Sequence, residues 1–391
     1  MKIRLVKSSF YNEADTKKRL ADFILKTDIL SMGEHSASFE KNFAEKQCRK
    51  YAVFVNSGST ANLVLLQALM NLGKLNRGDR VGVSALTWAT NIMPVIQLGM
   101  IPVAIDCERD TLNVSPRTLK EKINEIDSLF LTNVLGFGDD IVSIESICKE
   151  NNILFFEDNC ESLGSKINGR LLGNFGLAST FSFFVGHHMS TIEGGMITTD
   201  DEELHHELLM VRAHGWDRNV PHEKRNRLRE DNGADEFFAL YNFYTLAYNF
   251  RPTDIHGFIG NIQLEYLDEI ISKREKNFLD IYQVISRNHE LLPIRYEHMD
   301  VVSNFAVPVI ASNPQMFLKY KKRFQEDGVE IRPIIAGDIT KQPFYKKFVS
   351  ESHSCPNADY LHKNAFYFGN NPDLTEEDIL ILRKMLGSDL N

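Results

Sequence analysis

The chain has 391 residues, 43% hydrophobic and 25% charged, with a net charge of −9. That length exceeds one small core, and the composition is that of a water-soluble globular protein. The acidic balance argues against nucleic acid as the main partner, because phosphate neutralisation needs a basic face.

The N-terminal text MKIRLVKSSFYNEAD lacks an apolar run of signal-peptide length, and no stretch approaches about 18 consecutive apolar residues. No membrane association is expected. The five cysteines, Cys48, Cys107, Cys148, Cys160 and Cys355, are scattered without a CxxC. They predict reduced thiols, a cytoplasmic setting, and neither a disulfide framework nor a metal or iron–sulfur site.

Leu20, Phe23 and Ile24 at helical spacing predict a helix over 15–27. Seven short apolar runs follow: YAVFVN, RVGVSAL, IPVAID, SLFLTNVLG, ILFFEDN, STFSFF and GMITTD. Helical patterns over 61–72, 116–126, 139–150 and 202–212 fall between several of them. This alternation predicts an α/β domain with a seven-stranded, mainly parallel sheet, whose ligands collect at the carboxyl ends of the strands. The charged stretch 217–235 reads as a solvated loop that is free to reach a partner subunit. Helical patterns over 254–272 and 274–289 follow, then short strands in SNFAVPVI and VEIRPII. A large domain over 1–254 and a smaller C-terminal α+β domain over 255–391 are therefore expected.

Three strand ends carry chemistry. In NSGSTANLVLLQAL (56–69) a strand meets a helix through small residues. Gly58 permits close approach, Ser57, Ser59 and Thr60 add hydroxyls, and the helix N-terminus attracts phosphate. An ordinary N-capped helix looks the same. In ILFFEDNCES (153–162) Asp158 ends a buried strand and needs a partner. A protonated ring nitrogen would serve, as would a helix cap or a structural salt bridge. In LTWATNI (86–92) Trp88 is placed to lie on a planar ring, although a lone Trp is more often core. Together the three describe a site for a phosphorylated pyridine cofactor.

The order of these motifs resembles the pyridoxal-phosphate-dependent sugar aminotransferase family, the fold-type I enzymes that modify nucleotide-linked keto sugars. The resemblance spans nearly the whole chain. It includes MGEH (32–35), SGST, TWAT, EDNCES, the FSFF…EGG segment, YNFRP (248–252) and IRPI (331–334). It implies a fold-type I transferase fold and a pyridoxal or pyridoxamine phosphate cofactor. It also implies a homodimer with shared sites, in which Asn249 reaches the phosphate of the neighbouring subunit. Ser182 becomes a phosphate ligand, and His214 and Arg251 become candidates for the substrate or a glutamate carboxylate.

One position departs from that pattern. In the family's aminotransferases a lysine stands six residues before the Glu of EGG. Here the Glu is Glu193 and the residue is His187, within FVGHHMS. No lysine lies between Lys166 and Lys224, so a shifted register does not restore one. Imidazole forms no imine, so the cofactor must be held non-covalently, with pyridoxamine phosphate as the working form. Imidazole is still a good base near neutral pH. Neighbouring residues point different ways, so His187 rather than His188 is expected to face the cofactor.

The resemblance therefore implies the dehydratase branch. Such an enzyme removes the C3 hydroxyl of a nucleotide-linked 4-keto-6-deoxy sugar, with GDP-4-keto-6-deoxy-D-mannose as the implied substrate. It releases ammonia, and L-glutamate regenerates the cofactor. Glu161, where ordinary sugar aminotransferases usually carry Gln, separates this chain from simple amino transfer. Three alternatives stand beside it: an iron–sulfur CDP-hexose 3-dehydratase, an ordinary sugar aminotransferase, and a non-catalytic homologue.

Overall fold

The computed structural model describes residues 3–388. All seven expected strands form: β1 (Tyr51–Val55), β2 (Arg80–Ser84), β3 (Ile101–Ile105), β4 (Ser128–Thr132), β5 (Leu154–Asp158), β8 (Ala178–Ser182) and β9 (Gly195–Thr199), with a small hairpin of β6 (Lys166–Ile167) and β7 (Arg170–Leu171) before β8. They build one sheet in the order β1-β9-β8-β5-β4-β2-β3. Only β9 runs against its neighbours, antiparallel to both β1 and β8. The other six share a direction, so their carboxyl ends meet along one edge.

The strands are short and almost wholly buried, as expected of a sheet covered on both faces. Helices α1 (Glu13–Lys26), α2 (Glu34–Lys46), α3 (Gly58–Asn71), α4 (Ala89–Gln97), α5 (Pro116–Lys120), α6 (Ile141–Glu150) and α7 (Glu202–Arg212) accompany them. The helix expected over 116–126 is shorter. It stops at Lys120 and is followed by a 3-10 turn, Ile123–Glu125.

The stretch expected as a loop over 217–235 contains a helix, α8 (His222–Asp231). None of its residues is buried, so it carries no apolar stripe to reveal its period. Arg229 anchors it by an ion pair to the buried Asp217 at 2.7 Å. The two later helices are α9 (Asp254–Glu265) and α10 (Leu267–Ile285). They divide at Tyr266, earlier than the periodicity suggests.

A second sheet, in the order β10-β11-β13-β12, is antiparallel throughout. It comprises β10 (Leu291–Leu292), β11 (Ala306–Ala311), β12 (Ile331–Pro333) and β13 (Ala365–Gly369). The inner strand β13 has no expected counterpart, because it follows a helix with no Gly or Pro between them. The N-terminal segment returns to this sheet: Ile3 bridges Val329, and Leu5 N–H donates to Glu330 Oε2 at 3.1 Å. Among the described residues, no helix is long and apolar enough to cross a membrane.

Two of the matched motifs have structural duties. The MGEH turn at the start of α2, with the Ser36 that follows it, donates backbone N–H groups from Gly33, His35 and Ser36 to the buried Asp254 carboxylate. The second Gly of EGG, Gly195, begins β9 against the SGST turn. A Cβ there would lie 2.2 Å from the Ser57 carbonyl oxygen.

Candidate active site

The carboxyl ends of β1, β2, β5 and β8 surround a cavity of about 350 Å³. Ser57, Gly58, Ser59, Trp88, Asp158, Glu161, Ser182 and His187 all line it.

Ser57 caps α3. Its Oγ accepts from Thr60 N–H at 3.1 Å, and Thr60 Oγ1 accepts from Ser57 N–H at 3.1 Å. This capping box leaves the following N–H groups aimed at the cavity. A Cβ at Gly58 would sit 2.6 Å from Ser182 Cβ and 3.2 Å from Cys160 Sγ. Gly58→Ala should therefore force Ser182 and the start of α3 apart at the cavity wall. The expected result is cofactor affinity lowered by about tenfold or more with the fold retained, read by absorbance titration. Unchanged affinity would mean that Gly58 has no part in holding the cofactor.

Asp158 is 4% exposed. Its Oδ2 accepts from Asn62 Nδ2 at 3.0 Å and Asn91 Nδ2 at 2.7 Å, and its Oδ1 accepts from Cys160 N–H at 2.9 Å. Thr180 Oγ1 fixes Asn62 by donating to its Oδ1 at 2.7 Å. The carboxylate is aimed by neutral donors, and among the described residues no arginine or lysine pairs with it. A cationic ring is a fitting partner for it. Asn91 Oδ1 is buried without a hydrogen-bond partner.

Glu161 accepts from Leu135 N–H at 2.8 Å. Burial, together with the Asp158 charge, pushes its pKa up to about 8 from an ordinary 4.5. The protonated acid therefore persists at neutral pH and can donate a hydrogen bond, as a Gln would. Because the folded value is the higher one, the stability Glu161 contributes is present below about pH 4.5 and is lost as pH rises through about 8. Glu161→Gln should flatten that loss in the cofactor-free protein. The comparison is of thermal melts of both proteins from pH 5 to 9, and parallel curves would contradict it.

His187 stands on the turn between β8 and β9. Its Nδ1 lies 3.4 Å from the Ser182 carbonyl oxygen, and its ring meets Phe305 edge-on at 5.2 Å. The Ser182 contact suits a proton on Nδ1, which leaves Nε2 with its lone pair free. Burial pulls its pKa down to about 4, so the ring is neutral at pH 7. His188 turns away from this cavity and places Nε2 2.8 Å from the Ser303 carbonyl oxygen. No lysine lines the cavity.

Leu5, Val6, Phe305, Ile335 and Tyr367 complete the wall from the N-terminal segment and the second sheet. Asn249, His214 and Arg251 lie outside it. They gather around Trp216: Arg251 Nε donates to Asn249 Oδ1 at 3.0 Å, and the His214 and Arg251 side chains approach the indole. Among the described residues, no group of three or more His, Cys, Asp or Glu side chains is placed to hold a metal ion.

Fold and site together define a fold-type I α/β enzyme. The chain belongs to the DegT/DnrJ/EryC1/StrS aminotransferase family, whose model matches residues 12–385. It is 37% identical to the GDP-4-keto-6-deoxy-D-mannose 3-dehydratase of Yersinia pseudotuberculosis, over 90% of this chain and 91% of that protein. It superposes on the Escherichia coli GDP-4-keto-6-deoxy-D-mannose-3-dehydratase with bound hydrated PLP at a TM-score of 0.91, with 33% identity. That match covers 98% of this chain and 99% of the other. A crystal structure of GDP-4-keto-6-deoxymannose-3-dehydratase with a trapped PLP-glutamate geminal diamine matches at a TM-score of 0.90, with 32% identity. It covers 98% of this chain and 100% of the other.

Proposed function

We propose that this protein removes the C3 hydroxyl of a nucleotide-linked 4-keto-6-deoxy sugar, GDP-4-keto-6-deoxy-D-mannose, with pyridoxamine phosphate as cofactor. L-glutamate restores the cofactor and ammonia is released. The observation that carries this reading is a neutral imidazole, His187, where aminotransferases of the family hold lysine, in a cavity that keeps Asp158 and the capped start of α3.

The residues present fit the cofactor. Gly58, Ser59 and Ser182 would hold its phosphate, Trp88 would cover one ring face, and Glu161 would meet the ring hydroxyl. Asp158 would face the ring nitrogen and keep it protonated. When bound, the cofactor supplies a primary amine for the sugar ketone and a ring that accepts electrons. His187 Nε2 takes a proton from the carbon that bears the amine and returns one to the C3 oxygen as it departs. Because His187 cannot bond to the cofactor, it stays free for both transfers.

We further infer a homodimer with shared sites. Phe237, Phe238, Leu240, Tyr241, Phe243 and Leu246 are all more than half exposed within ten residues, an apolar surface that a second copy would cover. Asn249 lies outside its own chain's cavity, in keeping with a role at the phosphate of the partner's. Five free cysteines accord with a reducing, cytoplasmic setting.

The deciding experiment incubates the protein with pyridoxamine phosphate, L-glutamate and GDP-4-keto-6-deoxymannose. Ammonia, 2-oxoglutarate and sugar mass are followed together. The expected product is a 3-deoxy-4-keto sugar. A 4-amino sugar would instead make the protein an aminotransferase that works without a lysine.

A further inference from the structure

Arg274, on α10, is only 3% exposed. Buried guanidinium groups ordinarily pair with a carboxylate. Arg274 has no ion pair among the described residues and is satisfied by backbone carbonyls instead. Nη1 donates to Phe305 O at 3.1 Å and to Asn370 O, and Nη2 donates to His187 O at 3.1 Å. Its Nε has no partner. Burial lowers its pKa to about 9, partly offset by the charge of Asp373.

The three carbonyls belong to separate parts of the molecule. Phe305 immediately precedes β11, Asn370 immediately follows β13, and His187 is on the β8–β9 turn. Asn370 Nδ2 in turn donates to Arg274 O at 2.8 Å. One rigid fork therefore spans the turn and two loops of the second sheet. A lysine ammonium, a single point of charge, does not span them in the same way. A surface peptide would need no such device, and a cation buried to hold carbonyls is costly unless all of them are held well.

We propose that Arg274 is a positioning residue for the reaction: its bond to the His187 carbonyl sets where the imidazole stands, and its other two bonds lock that position to the loops flanking Phe305 and β13. This rests on the reading of His187 as the proton carrier. The rate of proton transfer depends on ångström placement of that ring, whereas cofactor binding depends on the phosphate cup and Asp158, which Arg274 does not touch.

The test uses Arg274→Gln and Arg274→Lys. Three quantities are read: pyridoxal phosphate affinity, the single-turnover conversion of bound cofactor by saturating L-glutamate, and amide hydrogen exchange in the cofactor-free protein. The expected result is affinity within about threefold of wild type and conversion slowed about 10- to 100-fold. Faster exchange should be confined to the segment 184–190 and the loops at 305 and 370. Wild-type conversion in a folded variant overturns the proposal. So does exchange that rises throughout the protein while affinity and rate fall together, because that is a purely structural role. Should neither variant fold, Asn370→Ala, which frees the backbone of Arg274, should show the same split at smaller amplitude, and an unchanged rate there also overturns the proposal. If wild type itself converts no cofactor, the reading of His187 has failed, and the localisation of exchange alone decides the role of Arg274.

Discussion

His187→Asn should lose sugar dehydration by about 10²- to 10⁴-fold, the usual contribution of a positioned acid–base group. Cofactor binding should survive. The reasoning is geometric: the ring's polar contact is a 3.4 Å approach to the Ser182 carbonyl, and its aromatic neighbours are Phe305 and Phe184. Asn keeps a polar side chain at the site, and the backbone bond from Arg274 does not depend on the side chain. An amide neither accepts nor delivers a proton near pH 7. Initial rates of sugar conversion, set beside cofactor affinity, check this. Rates near wild type would mean that another group carries the proton and that the missing lysine has been misread.

Asp158→Asn should be nearly as damaging, by two routes. An amide at position 158 brings an NH₂ into a shell made wholly of donors. If its oxygen faces Asn62 and Asn91, its nitrogen meets the Cys160 N–H. Turned over, it meets two amide nitrogens. Either arrangement leaves a buried donor unpaired, at about 1–3 kcal/mol. The second route is chemical, since a neutral amide does not hold the ring nitrogen protonated and the electron sink fails. We expect about a 10³-fold loss in rate and a melting temperature lower by several degrees. A variant that melts lower yet turns over normally would reduce Asp158 to a structural residue.

His187 stood out only against the lysine of the resembling family, whereas Asp158 and the small-residue turn at 56–60 were legible because each sits where a strand ends, and strands declare themselves by short apolar runs. Their supports were not. Asn62 and Asn91 lie in helices and read as ordinary polar positions, although TANL and TWATN place an Asn close to each motif. Leu5 and Val6 reach the cavity only because the chain start bridges back to Val329, a pairing across almost the full length that local pattern does not encode. Helix α8 stayed hidden because Leu228 is its one large apolar residue, too little to show an apolar period. Arg274 falls in a stretch, SKREKN, that reads as a charged surface. Its burial follows from the docking of α10 beneath the loops that flank β11 and β13.

The antiparallel strand β9 also has a consequence for synthesis. Among the described residues the apolar strand β1 finds its only sheet partner in β9, so Ala52–Val55 must wait until Gly195–Thr199 have left the ribosome. At ordinary elongation rates that delay is on the order of ten seconds. During it a short, sticky edge is unprotected, and contacts so distant in sequence also slow folding itself. Refolding yield from denaturant should accordingly fall as protein concentration rises, and a chaperone that shields the nascent amino-terminal third should recover it.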